Sequence, residues 1–178
     1  MTSPAVCIHK GDIWSFENSV THFLTSVKKH EGKHSRYFVG HPYPIYKTPE
    51  ERFNLISDWV MGLLHPQVLG PDVGYPAMKI VIEGYSMGSK GKVFHIAENA
   101  GLLKHKLWSK NLKFESPAPT QVKKFATGIG NANKLQMHDW FVNDTNLDVS
   151  ELLQTRADSN PCSDIVDAYF MCKFAFMS

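Results

Sequence analysis

Apolar residues recur along this chain with two periods, and the switches between them mark out the elements. The run Ala5-Val6-Cys7-Ile8-His9, the turn Lys10-Gly11-Asp12 and the run Ile13-Trp14-Ser15-Phe16 predict a β-hairpin. Val20 to Val27 alternates loosely and predicts a third strand, with a short further one at Arg36-Tyr37-Phe38-Val39. The period then lengthens. Thr48-Pro49-Glu50-Glu51 has the form of a capping box with proline at the first helical position, and Phe53, Ile56, Trp59, Val60, Leu63 and Leu64 form the apolar stripe of a helix ending near residue 64. A turn-rich stretch follows (Pro66, Gly70, Pro71, Gly74, Pro76). It leads into Met78-Lys79-Ile80-Val81-Ile82-Glu83, a run of the kind found in an interior strand, ending on a carboxylate.

The second half is mostly helical. After the loop Gly84 to Gly91, a helix is expected to about Trp108, with Phe94, Ala97, Gly101 and Leu102 as packing positions. Asn111 to Glu115 predicts an edge strand. Gln121 to Thr127 reads as a short helix, broken at Gly128-Ile129-Gly130 before a second helix from about Ala132 to Val142. The last stretch, Asn160 to Phe176, predicts one helix with Asn160 as N-cap and Pro161 at the first helical position. From Ile165 onward it is apolar on nearly every face apart from Lys173, so burial on most sides is expected.

Two aspartates interrupt that apolar run. Asp164 and Asp167 are three apart and share a face. Asp164 is close enough to the helix N-terminus to be favoured by the dipole, but Asp167 is a turn further in. A buried carboxylate has to be paired, hydrogen-bonded or bound to a metal. Two of them about 4 Å apart repel by about 4 kcal/mol at an effective dielectric near 20. A divalent cation between them reverses that cost; a dipole and a salt bridge are the alternative. Glu83, ending a strand, stands where α/β sheets place their sites, though a strand-end charge reaching solvent is the plainer explanation.

Composition narrows the classes. The 178 residues, 43% of them hydrophobic, suit one globular domain over 1–178. No apolar run approaches the roughly 18 residues of a membrane span, and no basic region followed by an apolar core opens the chain. No membrane association and a cytoplasmic location are therefore expected. Cys7, Cys162 and Cys172 are odd in number and lack paired spacing, as reduced thiols would. The chain's net charge of +2 is uneven: Gly84 to Lys134 holds nine lysines against Glu98 and Glu115, a local +7 that leaves −5 elsewhere. Solvated helix faces account for most such stretches, but a positive face beside carboxylates is also what a nucleic-acid enzyme needs.

His30-Glu31-Gly32-Lys33-His34 matches the H-E-x-x-H zinc-protease pattern in form only. That mechanism needs both histidines on one face of a stable helix, whereas Gly32 sits mid-motif and no apolar periodicity surrounds it. Gly40 occupies the place of a third ligand, and His41 comes one residue late. A solvated turn is the expected structure.

Three motifs, in order, resemble the RuvC-like Holliday-junction resolvases of the ribonuclease H-like fold, particularly phage versions. They are Ile80-Val81-Ile82-Glu83 followed by a helix carrying Ala100-Gly101; Gln121-Val122-Lys123-Lys124 with Gly128-Ile129-Gly130-Asn131-Ala132-Asn133-Lys134; and Ser163-Asp164-Ile165-Val166-Asp167-Ala168. The resemblance implies an α/β fold with a ribonuclease H-like mixed sheet flanked by helices, and a homodimer acting on branched DNA such as four-way junctions in a bacterial cell or phage-infected host. It implies two Mg²⁺ ions, for which Mn²⁺ can substitute, with Glu83, Asp164 and Asp167 as three of four ligands. Lys134 matches a catalytic lysine. Tyr85, Lys90, Lys92, Lys123 and Lys124 are the implied nucleic-acid contacts, with Tyr85 or Met87 stacking on an unpaired base. One departure stands out: the family's first strand ends in Asp, and this chain opens with Met1-Thr2-Ser3-Pro4-Ala5, as if that strand and its Asp were missing. Asp12, in the following turn, is no substitute. The resemblance thus leaves two functions open, a metal-dependent structure-selective endonuclease and a DNA-binding relative that does not cut.

Overall fold

The computed structural model describes residues 4–65, 78–84 and 93–178. These form an α/β chain with a mixed four-stranded sheet and flanking helices. By packing they divide into two units, Met1–Tyr43 with Pro119–Ser178, and Pro44–Ala118.

The first unit holds the sheet. Strands β1 (Ala5–His9), β2 (Ser19–Thr25), β3 (Gly32–Lys33) and β4 (Phe38–Pro42) lie in the order β1-β2-β4-β3. β2 runs antiparallel to β1, with Ala5 opposite Phe23, and parallel to β4, with Thr21 opposite Phe38. The two interior positions are thus filled by β2 and β4, each paired on both sides. Buried Phe23 and Phe38 project from the sheet into a core shared with four helices: α3 (Pro119–Thr127), α4 (Lys134–Thr145), α5 (Val149–Leu153) and α6 (Cys162–Met177).

The last helix is the hub of this unit. α6 touches β1, β2, α3, α4 and α5, and none of its side chains from Cys162 to Phe176 is fully exposed. Burial on most sides, expected from its apolar faces, is what the structure shows. Its start differs by one residue: the helix opens at Cys162, with Pro161 as N-cap, while Asn160 Oδ1 accepts from Ser163 Oγ at 3.0 Å. A proline cap offers no side-chain acceptor, so the neighbouring asparagine supplies one to the first turn.

The N-terminal hairpin is displaced. Residues 13–16 do not form its second strand; Ser15 caps a 3₁₀ turn over Phe16–Asn18, and β2 pairs with β1 only from Ser19. The alternation of Trp14 and Phe16 that mimicked a strand serves packing instead. Trp14 stacks on His9 at 4.8 Å and meets Tyr169, and Phe16 stacks on Tyr37 at 4.2 Å. Two cysteines without paired spacing also come near each other in space, Cys7 on β1 and Cys172 on α6, and all three cysteines are free.

In the second unit, α1 (Pro49–Leu63) begins as expected, with Thr48 Oγ1 accepting from the Glu51 amide. The Glu51 carboxylate accepts from the Lys47 amide at 2.6 Å, one residue before the cap. α1 packs on α2 (Val93–Ser109) through Leu64, Leu107 and Leu112 with Val60 and Leu103; Gly101, expected to pack, is exposed. The 78–83 run is not an interior strand of the sheet, nor is 111–115 a long edge strand. They meet in a single parallel bridge, Val81 opposite Glu115, with Ile82 N donating to Glu115 O at 3.0 Å. Only Met78, Ile80 and Ile82 join the apolar cluster while Lys79 and Glu83 are exposed, so this is a one-sided strand.

Gly40 explains why no side chain fits where a third zinc-protease ligand would fall. A Cβ there would lie inside contact distance of the His30 carbonyl oxygen and 3.0 Å from Phe23 Cζ. Backbone cannot yield as a flexible side chain can. Gly40→Ala is therefore expected to cost about 3 kcal/mol or more in chemical denaturation. Gly62→Ala, on an exposed turn of α1 with nothing near the new methyl, should instead stabilise by about 0.5–1 kcal/mol.

Candidate acidic and basic site

The first turns of α6 and α4 lie side by side, and the candidate site is built where they meet. α4 opens with a complete capping box: Asn133 Oδ1 accepts from the Gln136 amide, and Gln136 Oε1 from the Asn133 amide, both at 2.9 Å. This fixes the direction in which Lys134, the first residue of the helix, leaves the backbone. Its ammonium donates to Ser163 Oγ at 3.0 Å, and that hydroxyl donates to Asn160. Lys123, on α3, reaches across the Gly128–Gly130 turn to donate to the Ala132 carbonyl at 2.8 Å.

Asp167 lies within the field of both amines. Burial pushes its carboxyl above the ordinary aspartate value, and the Lys123 and Lys134 charges pull it part of the way back. Burial prevails, so the carboxylate is under-compensated by its protein neighbours. Asp164, one turn earlier on the same face, sits in the first turn of α6, where the helix dipole favours it. The electrostatics of this corner extend further. Arg156 forks onto Asp158 at 2.8 and 3.0 Å and, with a smaller contribution from Lys134, holds that carboxyl below its usual range. Burial, with Asp148, Asp158 and Asp164 nearby, pushes the Cys162 thiol up to about 12, so this cysteine stays protonated and inert.

The structure thus brings together four of the residues singled out in the sequence: Asp164, Asp167, Lys134 and Lys123. Lys124 is exposed on the outer face of α3. Glu83 is exposed and belongs to the other unit. Tyr85, Lys90 and Lys92 lie outside the described residues, as does Met87. Among the described residues no group of three or more His, Cys, Asp or Glu side chains is gathered as a metal site. Ser163 and Asn160, which link Lys134 to the cap of α6, were not singled out as site residues. Their signal was a polar pair at the head of an otherwise apolar helix. Not every lysine of the basic segment is available to a ligand, since Lys106 is ion-paired to Asp58 and bonded to Asn54 Oδ1 at 2.7 Å.

Oxygen donors on one helix face, beside two ammonium groups, can hold a hard cation on the carboxylate side and an anion on the lysine side. No family model and no curated protein matches the chain. Among solved structures it is similar to RuvC of Thermus thermophilus, with 16% identity and a TM-score of 0.48, over 72% of this chain and 69% of that one. No helix among the described residues is long and apolar enough to cross a membrane.

The raised Asp167 value gives a pH prediction. Between the ordinary aspartate value of 3.8 and the raised one, the folded chain binds more protons than the unfolded chain. Stability therefore falls as pH climbs through that window, and the full cost is present above it. Asp167→Asn should raise Tm at pH 7 and leave it nearly unchanged at pH 3. A melting curve that shows the larger gain at pH 3 would contradict this account of the site.

Proposed function

We propose that this chain is a metal-dependent endonuclease of branched DNA, resembling the RuvC-like resolvases, and that it acts as a homodimer. The observation that carries the reading is Asp167: a partly buried carboxylate on the hub helix, under-compensated by two lysines, with a second aspartate on the same face. Such a group is suited to a cation the protein itself does not supply. Mg²⁺ fits the chemistry of the donors, since it is held by one or two carboxylates together with substrate phosphate and retained waters. Asp164 and Asp167 would hold it, with Glu83 as a third ligand. Bound there, Mg²⁺ or Mn²⁺ supplies charge neutralisation at the scissile phosphate and an acidified water.

The chain's own residues do the rest. Lys134, oriented by Ser163, and Lys123, oriented by the Ala132 carbonyl, place fixed positive charge where phosphate oxygens gather charge as the bond breaks. Because their hydrogen bonds are already formed, little reorganisation is needed on binding. This reading assigns Lys124, exposed on the outer face of α3, to the DNA backbone, with Tyr85, Lys90 and Lys92 as further contacts. A second reading, a DNA-binding relative that does not cut, is favoured by one observation: no larger carboxylate group gathers around Asp164 and Asp167 among the described residues.

In Mg²⁺ the wild-type chain should nick a four-way junction and spare the matching linear duplex. Asp167→Asn, Glu83→Gln and Lys134→Ala should each lower the rate on the order of 100-fold. Cleavage that survives both carboxylate changes overturns the nuclease reading. Junction binding that weakens steeply with salt, without cleavage in Mg²⁺ or Mn²⁺, establishes the second one.

A further inference from the structure

The turn between α3 and α4 displays one apolar side chain on an unusually well-tied backbone. Gly128 has φ of +77°, a conformation in which a side chain would be strained, and its amide donates to Lys124 O at 2.8 Å. The buried Thr127 hydroxyl donates to Lys123 O at 2.8 Å and accepts from the Ile129 amide at 3.0 Å. The Ile129 carbonyl accepts from the Ala132 amide at 3.2 Å, and Lys123 Nζ closes the turn onto Ala132 O. Gly130 lies close over α3, where a Cβ would stand 3.4 Å from Thr120 O. All this holds the Ile129 backbone in place, yet its side chain is 44% exposed, with a glycine on either side and so no neighbouring bulk.

Along the chain, that side chain is flanked by lysines on both sides of the turn. Lys123 and Lys124 precede the turn on α3, and Lys134 follows it at the head of α4. Phe125, 39% exposed and packed edge-on against Phe174, adds apolar surface on the same helix. The carboxylates of this corner, Asp164 and Asp167, are those the proposed function assigns to a cation. A rigid aliphatic tip on a turn that lysines precede and follow along the chain matches a ligand that presents base edges flanked by phosphates. An apolar protein face would have no use for the lysines.

We propose that Ile129 is a wedge that enters the minor groove of DNA at the branch and unstacks a base step, while Lys123, Lys124 and Lys134 hold the adjacent phosphates. This rests on the nucleic-acid reading above and adds to it the residue that distinguishes a branch, where bases are already loosely stacked, from a linear duplex. The tied backbone lets the side chain press on a base step without being pushed aside, and the glycines let the groove walls approach on both sides.

The test uses a four-way junction with 2-aminopurine beside the branch, titrated with the full chain. Wild type should raise the fluorescence. Ile129→Ala should abolish that rise and weaken junction binding by about tenfold, with an unchanged slope of log affinity against log salt, because no phosphate contact is lost. Ile129→Leu should restore both signals. Lys124→Ala should lower the salt slope and keep the fluorescence rise at saturation. If Ile129→Ala binds and brightens the junction like wild type, the wedge is wrong while the nuclease reading stands. If wild type binds no DNA, both fall. If Ile129→Ala instead dissociates a dimer in sedimentation with DNA fluorescence intact, the turn is a contact between copies and the proposal is overturned.

Discussion

The structure depends on one constraint, the burial of a helix that is apolar almost all the way round. α6 cannot lie on a surface, because too little of it is polar; its unit surrounds it with the sheet on one side and α3, α4 and α5 on the others. Fully burying each large side chain, such as Ile165, Tyr169 or Phe170, is worth about 1.5–3 kcal/mol. The same enclosure makes any charge on the helix expensive. Only at its first turns does α6 carry two carboxylates, and there the surrounding helices turn their lysines inward. The site is thus a consequence of packing: the position that most needs compensation is the one where a ligand can provide it.

How much of this was legible in the sequence follows from how far each signal reaches. The terminal helix, the 49–64 helix and the first strand are set by local periodicity and caps, and each was readable within a residue or two. Residues 13–16 were misread because alternating aromatics look the same whether they line a strand or anchor a loop; only pairing to distant residues separates the two. The 78–83 run reads from its β-rich content as an interior strand, whereas its burial, with Lys79 and Glu83 outward, marks a single buried face. α5 was not foreseen at all. Five residues are too few for a helical period, and its signal is the cap alone, where Asp148 accepts from the amides of Ser150 and Glu151.

Site residues divide in the same way. Asp164 and Asp167 could be named from residue type and spacing, Lys134 and Lys123 only from the family resemblance, and the fold gathers all four. What no local pattern carried was which partner each charge would take. Lys106 spends its charge on Asp58, whereas Lys134 is aimed by a serine from a segment 29 residues away. A lysine-rich stretch therefore overstates the charge available to a ligand, and only three-dimensional contacts show which amines remain directed at the acidic corner.

The pairing of α4 with α6 has a mechanical consequence. Lys134 grips Ser163 near the start of both helices, and ten residues on, Asp144 accepts from the Tyr169 hydroxyl at 2.6 Å and from the Lys173 amine. The two rods run side by side in the same direction, pinned at stations about 15 Å apart. One pin would leave a rod free to spin or creep; two at equal intervals hold its azimuth and its axial setting together. Slipping α6 by a single residue would swing its acidic face by about 100°, so the far pin at Asp144 acts as a registration mark for carboxylates it never touches.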